Sequence, residues 1–160
     1  MIRPAKFVDI PAIVTLMEDR YQASLYARLG DMDTKEAKRL LVGCIQRHGG
    51  TGEGATLVMV AERGGEVTGF IVGLLDRVYS VGVPLSATDL FFACRSGADF
   101  RDVRGLIEAF GAWATSNPRV VEIKMGVVDT FGTDLAKTDA MYRPLGMERC
   151  GVIYRRSISR

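Results

Sequence analysis

The sequence has few of the residues on which metal sites and disulfide frameworks depend. It contains one histidine, His48, and three widely spaced cysteines, Cys44, Cys94 and Cys150, with no Cys-x-x-Cys pair. An odd set of this kind is typical of a reducing compartment and argues against a disulfide-stapled domain. His48 stands beside two glycines at 49–50, and helix ends favour this combination, so it is interpreted as a helix-ending polar residue. No metal site is expected.

Long apolar runs are also missing. The longest nearly apolar stretch, 67–75, is interrupted by Thr68 and two glycines, and it is shorter than the roughly 18 residues of a membrane span. Residues 1–4 lack the apolar core of a signal peptide. Lys and Arg exceed Asp and Glu by 21 − 19 = 2, a balance too even to argue for non-specific nucleic-acid binding. We therefore expect a cytoplasmic protein with neither a membrane nor a nucleic-acid partner.

The length and composition of the chain are those of one ordinary globular domain. The chain has 160 residues, of which 25% are charged and 48% hydrophobic. At roughly 150 residues per domain, this length predicts a single domain over 1–160. A chain of this size buries enough surface to fold without a metal or a disulfide.

The spacing of apolar residues predicts the order β, two helices, three strands, helix, strand, helix, strand. Asp33 is the predicted N-cap of the second helix, and the glycines at 64–65 form the turn of a hairpin. A strand at 86–93, a helix at 103–116 and a strand at 120–128 make a βαβ unit with parallel strands. Since the hairpin is antiparallel, the predicted fold class is α/β with a mixed sheet and helices on both faces. The last elements are a helix at 136–145 and a strand at 152–158.

The strongest candidate for a binding site is the turn at 95–104, which leads from a strand into a helix. A helix N-terminus attracts anions, and the planar fork of arginine suits phosphate oxygens. The two aspartates of this turn argue the other way, because either could simply cap the helix. A phosphate-binding turn and a capped, solvated turn therefore both stay open. The turn contains Arg95, Gly97, Asp99, Arg101, Asp102 and Arg104.

Several segments together resemble the GNAT N-acetyltransferase superfamily, and the likeness spans essentially the whole chain. They are residues 2–5 and 9–10 at the start of the chain, the hairpin end Gly-Phe-Ile-Val-Gly at 69–73, and the segment Tyr-Arg-Pro-Leu-Gly-Met at 142–147. The segment 89–92, followed by the arginine-bearing turn and 106–114, resembles the cofactor-binding motif of that family. The resemblance implies a central mixed sheet of six to seven strands, splayed between 86–93 and 120–128.

The resemblance also implies acetyl-CoA as cosubstrate, with its pantetheine arm in the gap between the splayed strands and its pyrophosphate on the turn. One departure is clear. The pyrophosphate loop of the family reads Gln/Arg-x-x-Gly-x-Gly/Ala, whereas two of its small positions fall near Arg101 and Val103 here. This degenerate loop argues against tight cofactor binding. The implied cofactor-binding residues are Phe91, Phe92, Ala93, Arg95, Gly97, Arg101, Asp102, Val103 and Arg104.

The activity implied is direct transfer of an acetyl group to the primary amine of a small molecule or peptide. Asp89 is expected to accept the amine proton, with a strand-end or substrate-orienting residue as its alternative role. Tyr142 is expected to protonate the departing thiolate, with a helix-ending residue packed on the sheet as the alternative. The rival functions are a non-catalytic GNAT-fold sensor or assembly module that binds CoA or another anion, and an unrelated phosphate-ligand protein. A homodimer stays open.

Overall fold

The computed structural model describes residues 1–126 and 135–151, and the chain divides into two units, Met1–Gly126 and Val127–Arg160. The described part of the second unit is helix α4 (Leu135–Tyr142) followed by a 3₁₀ turn at Arg143–Leu145. The single domain expected over 1–160 stays a prediction. In chain order the first unit contains β1 (Ile2–Pro4), α1 (Ile10–Gln22), α2 (Thr34–Gln46), β2 (Thr56–Arg63), β3 (Glu66–Arg77), β4 (Leu85–Cys94), α3 (Phe100–Thr115) and β5 (Val120–Lys124).

The sheet of the first unit is mixed, as predicted. Its strands lie in the order β1-β2-β3-β4-β5, with three antiparallel pairs and one parallel pair, β4 with β5. The parallel pair is the two strands of the predicted βαβ unit. The described residues form five strands rather than six or seven, so the expected count is too high for this part of the chain. The predicted strand 152–158 and the end of 120–128 lie outside the described residues.

The β2–β3 hairpin turns on two glycines. Arg63 pairs with Glu66, and Gly64 and Gly65 between them have φ values of 57° and 84°. Side chains with a Cβ rarely adopt such angles at two successive positions, so the glycine pair fixes the turn. The hairpin turn is therefore confirmed.

Helices cover both faces of the sheet because alternate residues of the central strands face opposite sides. On one face α1 and α2 pack against β2 and β3 in a cluster that includes Phe70 and Val72 of β3. On the other face α3 packs against the same strands, in a cluster that includes Ile71, Leu75 and the α3 residue Phe110. The predicted arrangement of helices on both faces is confirmed.

The starts of α1 and α2 use their aspartates differently. The Asp33 carboxylate accepts hydrogen bonds from the N–H groups of Lys35 and Glu36, both at 3.0 Å, and caps α2 as predicted. Asp9 precedes α1, but its carboxylate instead accepts the N–H of Lys6 at 2.7 Å and pairs with Arg3. In the part of the chain that the structure describes, no helix is long and apolar enough to cross a membrane.

Candidate active site

The pairing of β4 with β5 stops halfway along β4. Paired positions run from Leu85 with Val120 to Thr88 with Lys124, whereas β4 continues to Cys94. Among the described residues, nothing pairs with 89–94 on the β5 side. An unpaired strand edge presents N–H and C=O groups that an extended ligand can meet as an added strand. Among the described residues, the edge of β4 is therefore unpaired from Asp89 onward, where the gap between the two strands was predicted.

A bulge at Leu90 redirects the exposed half of β4. Val72 of β3 pairs with Phe91, and the next residue, Gly73, pairs with Asp89, so Leu90 has no partner of its own. Bulges of this kind bend a strand and often lie beside active sites. The sequence analysis did not predict it, because an extra residue in one strand is visible only against the register of its neighbour.

The open edge of β4 presents the backbone of Phe92. Phe91 and Ala93 lie opposite Val72 and Phe70, and the Arg95 N–H donates to Thr68 O at 2.8 Å. Backbone groups of successive strand residues point to opposite sides, so the polar groups of Phe92 and Cys94 point away from β3. The Cys94 carbonyl already accepts a hydrogen bond of 2.6 Å from the Arg20 guanidinium of α1. Phe92 is thus the residue whose N–H and C=O lie ready for an extended ligand.

Asp89 lies where the gap opens. Its Oδ1 accepts the N–H of Gly126 at 2.7 Å, which joins β4 to the residues directly after β5. The carboxyl is half-buried, and this burial raises its pKa, an effect that the Gly126 hydrogen bond opposes. A carboxylate with a raised pKa is a better base than an exposed one, because proton acceptance improves as its pKa approaches the working pH.

The predicted residues 91–93 divide between the two faces of the sheet. Phe91 and Ala93 pack with the cluster of α1 and α2, while Phe92 packs with the cluster of α3. Their side chains therefore anchor the strand, and only the backbone between them faces the gap. Whether these residues bind a ligand stays a prediction.

Helix α3 begins at Phe100, three residues before the predicted start at 103. Asp99 is its N-cap, and its Oδ1 accepts the Arg101 N–H at 2.8 Å. Arg101 and Arg104 consequently lie exposed on the first turns of a helix rather than in a loop, and Val103 lies half-buried between them. Gly97 remains in the turn with a φ of 75°. The sequence left open a phosphate-binding turn and a capped turn. The position of Asp99 as the N-cap of α3 matches the capped turn.

Arg63, at the end of β2, is a member of this site that the sequence analysis missed. Its Nε donates to Asp102 Oδ2 at 2.6 Å, and its Nη2 lies 2.8 Å from Asp99 Oδ2. Asp102 also accepts a hydrogen bond of 3.4 Å from Thr68. The Arg63 hydrogen bond lowers the pKa of the buried Asp102 carboxyl, and the same bond raises the pKa of Arg63. One guanidinium therefore holds both carboxylates at the start of α3, those of Asp99 and Asp102.

A pocket of about 250 Å³ lies at the start of α3. It is lined by residues 95–98 of the turn and by the side chains of Arg63, Thr68, Asp99 and Asp102. The lining of this pocket thus contains cations, carboxylates and backbone N–H groups. The arginines of the turn favoured phosphate binding and its two aspartates favoured a capped turn, and the lining contains groups of both kinds.

Cys94 lies beside this pocket but is a poor nucleophile. Its side chain is largely enclosed, and burial raises the pKa of the thiol to about 11. A thiol with such a pKa is almost entirely protonated near neutral pH, and the protonated form does not attack carbonyls. Cys94 is therefore a packing residue, which lies against the cluster of α3. Within 1–126 and 135–151, no group of three or more His, Cys, Asp or Glu side chains could hold a metal ion.

Tyr142 belongs to the second unit, where it is the last residue of α4. The N–H of Met147 donates to its carbonyl at 3.3 Å, and Gly146 ends the following turn with a φ of 75°. This is the helix-ending arrangement that the Leu-Gly-Met sequence predicted. The side chain of Tyr142 is half-buried. Its catalytic role stays a prediction.

Solved acetyltransferase structures have the same fold. A ribosomal-protein-alanine N-acetyltransferase from Brucella melitensis is 21% identical over 94% of this chain and 86% of its own, with a TM-score of 0.71. A glucosamine-6-phosphate N-acetyltransferase from Arabidopsis thaliana is 10% identical over 99% and 98%, with a TM-score of 0.65. A transcriptional regulator from Bacillus halodurans C-125 is 17% identical over 99% of both chains, with a TM-score of 0.68. No protein-family model and no curated protein matches the sequence. The chain has the GNAT acetyltransferase fold.

Proposed function

We propose that the protein is an acyltransferase that moves an acetyl group from acetyl-CoA to the primary amine of a small molecule or peptide. The observation that carries this proposal is the early end of β4–β5 pairing at Thr88, after which no described residue pairs with the edge at 89–94, where Asp89 is the first residue. Two proteins of the same fold are named for amine acceptors, a protein alanine and an amino sugar phosphate. Fold alone does not carry function, so the argument rests on the site.

The pantetheine arm of the donor fits the open edge of β4. Its amide groups would exchange hydrogen bonds with the N–H and C=O of Phe92, as an added strand would. The acyl thioester would then lie near Asp89, at the end of the gap where β4 and β5 are still paired. The diphosphate would extend toward Arg95, Gly97 and the start of α3.

The chemistry needs one proton acceptor and one proton donor. Asp89 takes a proton from the ammonium form of the acceptor, directly or through a water molecule, and the freed nitrogen forms a bond to the thioester carbonyl carbon. The C–S bond then breaks, the CoA thiolate takes a proton from the Tyr142 hydroxyl, and the nitrogen gives its second proton to the Tyr142 phenolate as the neutral amide forms. The raised pKa of Asp89 suits it to the first step.

Donor binding and turnover are tested separately. Acetyl-CoA should raise the melting temperature of the protein, because a ligand that binds only the native state stabilises it. A panel of amines, including polyamines, amino acids, aminoglycosides and peptides, is then screened for release of the CoA thiol. If acetyl-CoA leaves the melting temperature unchanged and no amine releases thiol, the proposed function is wrong.

Tyr142→Phe provides the test of the proton donor. It should lower kcat by about ten-fold or more, since general acids typically contribute 10²–10⁴-fold, while the melting-temperature shift with acetyl-CoA stays the same. The substitution removes one hydroxyl and leaves the ring that packs at the end of α4. An unchanged kcat would remove Tyr142 from the mechanism but would leave Asp89 and the donor site in place.

A second candidate function is a non-catalytic module that binds CoA or another anion. The feature that favours it is the degenerate pyrophosphate loop, in which Arg101 and Val103 stand near the two small positions. A protein of this kind would gain stability with acetyl-CoA but release no thiol with any amine. The two experiments above therefore separate the candidates.

A further inference from the structure

The carboxylate of Asp99 accepts the donors that a phosphate would otherwise meet. Its Oδ1 takes the Arg101 N–H at 2.8 Å, and its Oδ2 lies 2.8 Å from Arg63 Nη2. Helix starts bind phosphate through free N–H groups and nearby cations. At α3, one such N–H group and one such cation already hold an anion that belongs to the protein itself.

The other arginines around the pocket are also paired. Arg95 Nη1 lies 2.8 Å from Glu66, and Arg104 Nε lies 2.7 Å from Glu108. Arg63 has Asp102 as a second partner at 2.6 Å. Among the described residues, Arg101 is the arginine at the start of α3 for which no carboxylate partner is found. The region therefore has almost no uncompensated positive charge with which to attract a diphosphate.

A diphosphate that entered this region would have to displace Asp99 or lie beside its negative charge. Either event reduces the free energy gained from the phosphates, because like charges at such short distances repel and lost ion pairs must be replaced. The open edge of β4 carries no such penalty, since the polar groups of Phe92 face the gap with no protein partner among the described residues. The edge of β4 can therefore bind the pantetheine arm without this penalty, whereas the start of α3 cannot bind the diphosphate without it.

We infer that the acyl donor is recognised through its pantetheine arm rather than its diphosphate, and that Asp99 is the residue that sets this preference. This inference rests on the proposed function and names the part of the donor that the protein recognises. An acyl thioester that ends after the pantetheine should then serve nearly as well as the full acetyl-CoA.

The first test compares two donors with one amine acceptor from the panel. The kcat/KM of wild-type protein is measured with acetyl-CoA and with S-acetylpantetheine, which lacks both phosphates and the nucleotide. The two values should agree within about ten-fold. A preference for acetyl-CoA of more than a hundred-fold would overturn the inference and leave the proposed function standing. The absence of transfer from both donors would overturn the proposed function and this inference with it.

The second test removes the charge of Asp99 but keeps its cap. Asparagine caps helices about as well as aspartate, so Asp99→Asn should keep α3 folded. The variant should raise kcat/KM for acetyl-CoA by about ten-fold, equivalent to roughly 1.4 kcal/mol, and leave S-acetylpantetheine unchanged. Equal changes for both donors, or no change for either, would contradict the role of Asp99.

Asp33→Asn is the matched control. Asp33 is likewise the N-cap of a helix, α2, where its carboxylate accepts two backbone N–H groups at 3.0 Å, and it lies outside the pocket at the start of α3. The same loss of one negative charge at this helix should leave the ratio of the two kcat/KM values unchanged. A change as large as that of Asp99→Asn would mean that net charge, and not position, sets the preference.

Discussion

His48 acts as a hydrogen-bond acceptor that connects the end of α2 to the sheet. Its Nδ1 accepts the N–H of Val58 at 2.9 Å, and its backbone forms a bridge with Thr56. The sequence predicted a helix-ending polar residue, and α2 does end two residues earlier, at Gln46. Its bond to β2 was not predictable, because it joins residues that come together only in the folded sheet.

The protonation of His48 should make stability depend on pH. Burial lowers the pKa of the imidazole below its ordinary value of about 6.5, and a protonated Nδ1 cannot accept the Val58 N–H. The unfolded chain therefore binds this proton more readily, so the free energy of unfolding should fall as the pH drops below about 6.5. Chemical denaturation at pH 7.5 and pH 5.5 measures the loss.

His48→Asn supplies the comparison for this effect. The Asn side-chain oxygen can accept the Val58 N–H without titrating, so the variant should lose less stability between pH 7.5 and pH 5.5 than the wild type. An identical loss in both proteins would show that other groups cause the pH dependence.

Among the elements, β3 and α3 lie very close to each other at Gly73. A Cβ added to Gly73 would lie 2.4 Å from Cε2 of Phe110 and 3.0 Å from Cζ3 of Trp113. These rings are rigid and buried, so they cannot move aside as the end of a flexible chain could. Gly73 also pairs with Asp89 next to the bulge, so the close approach of α3 supports the strand at the mouth of the gap.

Gly73→Ala should therefore destabilise the fold by about 1–3 kcal/mol, the usual effect of overpacking a core. Gly111→Ala is the control within α3, because a Cβ there meets nothing within 4 Å. It should stabilise the protein by about 0.5–1 kcal/mol, since alanine favours helices over glycine. Urea denaturation gives both values. Stabilisation by both substitutions would mean that β3 and α3 are less tightly packed than described.

The elements were largely predictable because their signals are local. The glycine pair at 64–65 and the cap at Asp33 determine a turn and a helix start by themselves, and both are confirmed. The start of α3 was predicted three residues late because Asp99 and Asp102 are both suitable caps. The choice of Asp99 leaves Asp102 inside the first turn, where Arg63 can reach it.

The candidate site was only partly predictable, because some of its residues are far apart in the sequence and meet only in the fold. Asp89 and 91–93 follow one another on one strand, so the resemblance of one short segment predicted them together, and their roles stay predictions. Arg63 lies 39 residues before Asp102 and joins it only through the hairpin and the packing of α3 on the sheet. No spacing along the chain indicates such an ion pair, and it is this pair that changes the expected chemistry of the turn.

On the scale of the whole molecule, the fold leaves the activity open. A ribosomal-protein-alanine acetyltransferase and a transcriptional regulator have similar TM-scores to this chain, 0.71 and 0.68. What distinguishes members of one fold is the side chains at the site. For this chain they are Asp89 at the gap and the Asp99–Arg63–Asp102 cluster at the start of α3, and these are the positions at which activity must be tested.

The first strand is connected to the rest of the first unit by an ion pair, Arg3 with Asp9, that is far more enclosed than the pair of Arg39 with Glu36. The side chains of Arg3 and Asp9 are 22% and 7% exposed, whereas those of Arg39 and Glu36 are 78% and 53% exposed. Arg3 also donates to Glu62 of β2 at 2.6 Å. Its guanidinium therefore joins β1, the turn before α1 and β2.

Arg3→Met should lower the free energy of unfolding by at least about 2 kcal/mol at pH 7, because it leaves the buried Asp9 charge without its partner. Arg39→Met, which breaks the exposed pair with Glu36, should change the free energy of unfolding far less.

The hydrogen bond with Arg3 lowers the pKa of Asp9, so this contribution is present above about pH 3.9 and is lost as the pH falls through the lowered value. The difference between wild type and Arg3→Met, measured by urea denaturation, should consequently shrink from pH 7 to pH 3. A difference that stays constant would mean that Arg3 stabilises the fold through the packing of its aliphatic stem and not through its charge.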